Sequence, residues 1–153
     1  MNKYLVGFII FIIAVAAIIV FIIAQKSNQF TRKITTTIGD TTFVLEVADS
    51  EQKRQLGLSK RKSIKDNEGM IFIFDTPGYY AFWMKDMKFP IDIIFLNNET
   101  IVTIYKNVPY PQNKDERLAT YSPTQPANRV LELKAGTVEK LGLSEGETIK
   151  ISL

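Results

Sequence analysis

Residues 89–105, FPIDIIFLNNETIVTIY, decide the fold class: two runs of β-branched and aromatic residues, Phe89–Leu96 and Thr100–Tyr105, flank the turn residues Asn97 and Asn98. Such side chains fit a pleated, half-buried surface, and Asn tolerates the left-handed backbone of a tight turn, so the stretch reads as a hairpin. The same pattern recurs on both sides. Thr31–Ile38 and Thr41–Val47 are separated by Gly39 and Asp40 and read as an earlier hairpin. Asp49 opens an Asp-x-x-Gln cap to a short helix through Leu56, with Gly57 as its stop. Met70–Phe74 and Tyr79–Met84 are strands about the turn Asp75–Gly78. Arg129–Leu133 is a strand, Thr137–Leu141 a short helix stopped by Gly142, and Thr148–Leu153 a last strand. Lys106–Gln125, with Pro109, Pro111 and Pro123, has little periodicity, and loops of that length in compact domains are usually functional or disordered. The expectation is a mainly β chain, an N-terminal transmembrane helix followed by a small antiparallel β-barrel or sandwich-like domain with two short helices.

Composition narrows the chemistry. The 153-residue chain has no His and no Cys, which excludes a His-based triad, a thiolate nucleophile, a disulfide and a Cys or His zinc site. No cofactor is indicated, and no ligand spacing supports a metal. Of 19 basic residues against 16 acidic ones, Lys3 and Lys26 flank the apolar N-terminal run, leaving 17 against 16 in the rest of the chain. A near-neutral domain gives no reason to expect nucleic acid as a partner, which requires a basic face. The one dense basic cluster, Lys60, Arg61, Lys62 and Lys65, reads as a solvated loop.

Tyr4–Ala24 is an uncharged stretch of Ile, Val, Phe, Leu and Ala. As a helix of 21 residues it would reach about 31 Å, the thickness of a bilayer core. A cleaved signal peptide is the rival, but the run is too long for one and the bulky Ile22 spoils a small-x-small cleavage site. The expected organisation is therefore residues 1–26 as a single-pass membrane anchor, 27–37 as a tether and first strand, and 38–153 as one β-rich domain. A short N-terminal tail resembling a signal anchor places that domain outside the cytoplasm.

Three acids lie inside apolar strands: Glu46, Asp92 and Glu132. Alternation sets Glu46 opposite Leu45 and Val47, and Glu132 opposite Leu131 and Leu133, so these two can point to solvent. Asp92 has isoleucines on both faces, and a desolvated carboxylate is costly without a partner. Lys85, the Trp83 indole and Arg129 are the partners the sequence offers for a site; the other reading is a buried carboxylate that ties strand ends together through hydrogen bonds. Trp83, Lys85, Asp92, Glu132, Glu46 and Arg129 form the candidate ligand site, beside the proline-rich loop. The aromatic run Tyr79, Tyr80, Phe82 and Trp83 reads as core on one face and as a stacking platform on the other.

Gly69-Met70-Ile71-Phe72, Phe82-Trp83-Met84-Lys85, Pro90-Ile91-Asp92-Ile93-Ile94-Phe95 and Val130-Leu131-Glu132-Leu133, with Gly136, Gly142 and Gly146, resemble the domain of unknown function 192 family over about Ile38–Leu153. Glu46-Val47-Ala48 and Leu56-Gly57-Leu58 fit the same pattern. The resemblance implies a compact β-rich domain, often behind a signal or anchor sequence, without an established activity. Two departures stand out: Asp86-Met87 where the pattern runs Asn-Thr, and Ser59 where Met follows Gly-Leu.

Three functional readings follow. The leading one is a membrane-anchored extracytoplasmic domain binding a small polar ligand or envelope component. The second is a glycan-directed hydrolase using paired carboxylates. The third is a docking scaffold without catalysis. Oligomeric state is not readable from the sequence.

Overall fold

The computed structural model describes residues 9–20, 32–113 and 116–152. The chain divides into two compact units, Met1–Thr31 and Arg32–Leu153. In the first unit residues 9–20 are helical. Among the described residues no helix is long and apolar enough to cross a membrane, which corrects the expected single-pass anchor and the extracytoplasmic placement that rested on it. The run is apolar in composition, but crossing needs length as well, and residues 9–20 rise only about 18 Å against a hydrocarbon core of about 30 Å. The rest of the expected span, residues 4–8 and 21–24, lies outside the described residues, as do residues 27–31 of the tether.

Among its described residues the second unit contains eight strands: β1 (Lys33–Ile38), β2 (Thr41–Ala48), β3 (Glu68–Gly78), β4 (Phe82–Trp83), β5 (Ile91–Asn97), β6 (Thr100–Val108), β7 (Thr120–Tyr121) and β8 (Ala127–Lys134). Two short helices, α1 (Glu51–Leu56) and α2 (Thr137–Leu141), accompany them. Six strands form one sheet in the order β1-β2-β3-β8-β5-β6, while β4 and β7 pair separately. Hairpins β1–β2 and β5–β6 turn at Gly39 and Asn98, both with positive φ, the conformation that Gly and Asn reach at least cost.

The sheet is mixed and does not close into a barrel, which corrects that expectation. β2 and β3 run parallel because α1 and its flanking loop return the chain to the starting end before β3 begins. The edges are β1 and β6. The C-terminal segment, expected as a strand, forms only the bridge Thr100–Thr148 and otherwise binds irregularly along these edges. Ile101 N–H donates to the Glu147 carbonyl at 2.8 Å, Ile149 N–H to the Glu99 carbonyl at 2.8 Å, and the Thr36 hydroxyl to the Lys150 carbonyl at 3.0 Å. At the start of β6 these bonds occupy backbone groups that a closing strand pair would need.

One face of the sheet carries the main core, Phe43, Leu45, Val47, Ile71, Ile94, Leu96, Leu131 and Leu133, covered by Val138 of α2 and by Ile149 and Ile151. Asp92 sits on this face, fully buried. Its Oδ1 accepts from Asn107 N–H at 2.7 Å and Gly136 N–H at 3.3 Å, and its Oδ2 accepts from Val138 N–H at 2.8 Å. The carboxylate ties the start of α2 to β5 and β6, satisfying donors that a helix start leaves open. The opposite face carries Met70, Phe72, Ile93 and Phe95. Phe82 packs edge-on against Phe72 and Phe95, with ring centroids at 4.9 and 5.6 Å, bringing β4 over this face.

Gly69 fixes the spacing of the central strands: a Cβ there would stand 2.5 Å from the Glu132 carbonyl oxygen and 2.7 Å from Leu133 Cδ2. Gly69→Ala is expected to cost about 1–3 kcal/mol of unfolding free energy through overpacking, read by urea denaturation. Asp92→Asn must leave at least one buried N–H facing an amide donor. It is expected to cost about 1–3 kcal/mol in the same assay; an unchanged midpoint would show that the three donors find other partners.

Candidate functional site

Glu132 lies near the middle of β8, with Met70 of β3 on one side and Ile93 of β5 on the other. Its side chain shares a face with Val130, opposite Leu131 and Leu133, as alternation requires. That face does not meet bulk water, because β4 and its aromatic rings cover it, and Glu132 is only 6% exposed. Its Oε2 has no hydrogen-bond partner among the described residues. Burial pushes the carboxyl up to about 8, so it is a neutral acid at neutral pH with an O–H to donate.

This acid forms part of the wall of a cleft of about 760 Å³. α1 contributes Arg54, β3 contributes Phe72 and Phe74, β4 contributes Phe82 and Trp83, and the following turn contributes Lys85. Local sequence accounts for each position. Ser50 caps α1 by accepting from Lys53 N–H, and Gly57 ends the helix with φ 49°. Arg54 donates to the Ile73 carbonyl at 2.9 Å and lies over the Phe74 ring at 5.0 Å. Tyr80 stacks on Phe74 at 3.7 Å and donates its hydroxyl to the Thr76 carbonyl at 2.8 Å, folding the end of β3 back on itself. Trp83 is 57% exposed, with the Lys85 ammonium 5.5 Å above its ring. Asp86 follows with φ 59°, a conformation open to Asn and Asp alike; this gives the departure from the family's Asn a backbone explanation.

Of the six residues the sequence singles out, Trp83, Lys85 and Glu132 come together along the cleft, and Asp92, Glu46 and Arg129 do not line it. Asp92 is on the other face of the sheet, bonded to backbone donors and not to Lys85. Glu46 is on the same face as Glu132 but two strands away, about 10 Å at the usual strand spacing, and its carboxylate is held by Arg61 and Lys33. Arg129, on the Leu131 face, is partly buried, with Nη1 lacking a partner among the described residues. The facing pair of acids that two-carboxylate hydrolysis needs is therefore not formed by Glu132 with Asp92 or Glu46. Among the described residues no group of three or more acidic side chains is placed to hold a metal ion.

Sequence reasoning missed Arg54 and Phe74 and left Lys60 in a solvated loop; all three line the cleft. The alternation of Phe72 and Phe74 was a usable signal for one aromatic face. No comparable signal places a helix cation over it.

Two solved structures are similar to this chain. One, a candidate transcription regulator from Sinorhizobium meliloti 1021, is 32% identical, covers 76% of this chain and 88% of its own, and superposes with a TM-score of 0.65. The other, a protein of unknown function from Novosphingobium aromaticivorans, is 27% identical, with 80% and 85% covered and the same TM-score of 0.65. No protein of curated function matches the chain. The model of the DUF192 family (Uncharacterized ACR) matches residues 33–151, nearly the whole of the second unit, and the chain belongs to that family.

Proposed function

We propose that the cleft is a binding site for a small polar ligand, recognised by the neutral Glu132 carboxyl within and by Trp83 and Lys85 at its margin. The observation that carries the reading is the partnerless, buried Glu132 oxygen beside an open space of about 760 Å³. A buried polar atom without a hydrogen bond costs free energy, and a ligand that supplies the missing partner recovers it. The aromatic walls Phe72, Phe74 and Phe82 suit the apolar face of a ring, and the exposed indole of Trp83 can cap it. Polar groups that are few and fixed, set among aromatic surfaces, characterise small-molecule sites.

A panel of uncharged sugars, cyclic amides and nucleosides, screened by ligand-observed NMR, tests the reading. Because the carboxyl is protonated below about 8, a compound that accepts its hydrogen bond is expected to bind evenly up to that pH. Above it, affinity should fall by up to about tenfold per pH unit as the carboxylate forms. Glu132→Gln keeps a donor and removes the ionisation, so its affinity should not vary with pH, and Trp83→Ala should weaken binding at every pH. Native affinity that is constant well above pH 8, or binding indifferent to both substitutions, contradicts the assignment.

A further inference from the structure

Neither side-chain oxygen of Glu132 takes part in a hydrogen bond or an ion pair among the described residues. The buried group is the acid at neutral pH, so its end presents an O–H donor and, beside it in the same plane, a carbonyl acceptor. The surroundings limit what else a ligand can bring. Beside Glu132 on its face of the sheet stand Met70, Phe72, Ile93 and Phe95, all buried. Among the uncharged polar side chains that line the cleft, Gln55 donates to Glu51 at 2.9 Å and the Ser59 hydroxyl donates to the Leu56 carbonyl at 2.6 Å. The charged lining residues balance, Arg54, Lys60 and Lys85 against Glu51, Asp75 and Asp86. The cleft therefore suits an uncharged ligand that meets Glu132 with one donor and one acceptor.

Few small molecules present that pair. A sugar brings several hydroxyls, and those turned toward Phe72 and Ile93 would lose water without gaining a partner. A ligand carboxylate has no proton to donate at neutral pH. A linear amide has both groups, but its trans bond sets them on opposite sides, so only one reaches the acid at a time. A ring that contains the amide holds it cis. Its N–H and C=O then lie along one edge and meet the acid in two parallel hydrogen bonds, and the rest of the ring is apolar surface for the walls formed by Phe72, Phe74 and Phe82.

We propose that the ligand of the cleft is a cyclic amide, whose N–H and C=O on one edge pair with the two side-chain oxygens of Glu132 while the ring lies against the aromatic walls. The inference rests on the reading of the cleft as a ligand site and adds the class of the ligand. Two sources share this chemistry, a saturated lactam and a nucleobase, and the test separates them.

2-Pyridone and 4-pyridone are the same ring with the same two groups, set side by side in the first and at opposite ends in the second. Each is titrated into the full chain near neutral pH and followed by backbone amide NMR, with 2-piperidone, uracil and glucose in parallel. 2-Pyridone is expected to bind at least about tenfold tighter than 4-pyridone, the gain from one further hydrogen bond in a buried site. The tighter of 2-piperidone and uracil identifies the source. Glu132→Gln keeps a donor and an acceptor side by side and should keep the preference for 2-pyridone. Glu132→Met removes both and leaves an apolar chain in an apolar setting, so the fold is retained and the two pyridones should come to within about threefold of each other. Equal affinity of the native chain for the two pyridones, or no saturable shifts with 2-pyridone, overturns the inference; glucose binding that depends on Trp83 and Glu132 would then leave the reading of the cleft standing. A preference for 2-pyridone that survives both Glu132→Met and Trp83→Ala puts the ring elsewhere and overturns the inference and the reading of the cleft together.

Discussion

Burial of the Glu132 carboxyl without a partner is the constraint around which the second unit is organised. β8 lies between β3 and β5, and the absence of a side chain at Gly69 lets β3 approach the Glu132 backbone closely. The same packing that makes the sheet tight takes the acid out of water. Phe82, wedged between Phe72 and Phe95, completes the enclosure. A stable fold that needed only a core would place a hydrocarbon here, since desolvating a carboxyl costs free energy that an apolar side chain would not. Keeping an acid in the middle strand, beside an open cleft, is the feature that structure alone does not require.

The two faces of the sheet divide the labour among the acids. Asp92 is also buried, but its three N–H donors make it part of the framework, joining α2 to β5 and β6. Glu46 is engaged by Arg61 and Lys33 near the sheet's margin. Among the described acids only Glu132 combines burial, an open neighbouring space and an unmatched oxygen. Both similar solved structures share the fold without bringing an established chemistry, so the case for a site rests on this geometry and not on likeness.

Much of the fold was legible in the sequence because turns have local causes. Gly39 and Asn98 mark the hairpins through their positive φ, and Gly57 and Gly142, also at positive φ, stop the helices. What was illegible depended on long-range geometry. The parallel pairing of β2 with β3 and the irregular course of residues 148–152 are decided by which edges remain to be satisfied. The N-terminal run is apolar in composition, yet no described helix has the length to span a bilayer. Trp83, Lys85 and Glu132 were legible as candidates and all three line the cleft, but alternation suggested solvent for Glu132, since it reports the face of a strand and not what covers that face. Asp92 was correctly read as needing a partner; its partners are backbone donors, which carry no sequence signature.

The central claim is that Glu132 is uncharged at neutral pH because the fold buries its carboxyl with no hydrogen-bond partner for Oε2 among the described residues. Carbon-detected NMR of the Glu132 side-chain carboxyl across a pH titration of the native chain, assigned with Glu132→Gln, tests this directly. The account predicts a midpoint near about 8. A midpoint close to the ordinary glutamate value of 4.5 would mean that water or a cation reaches the carboxyl, and would contradict it.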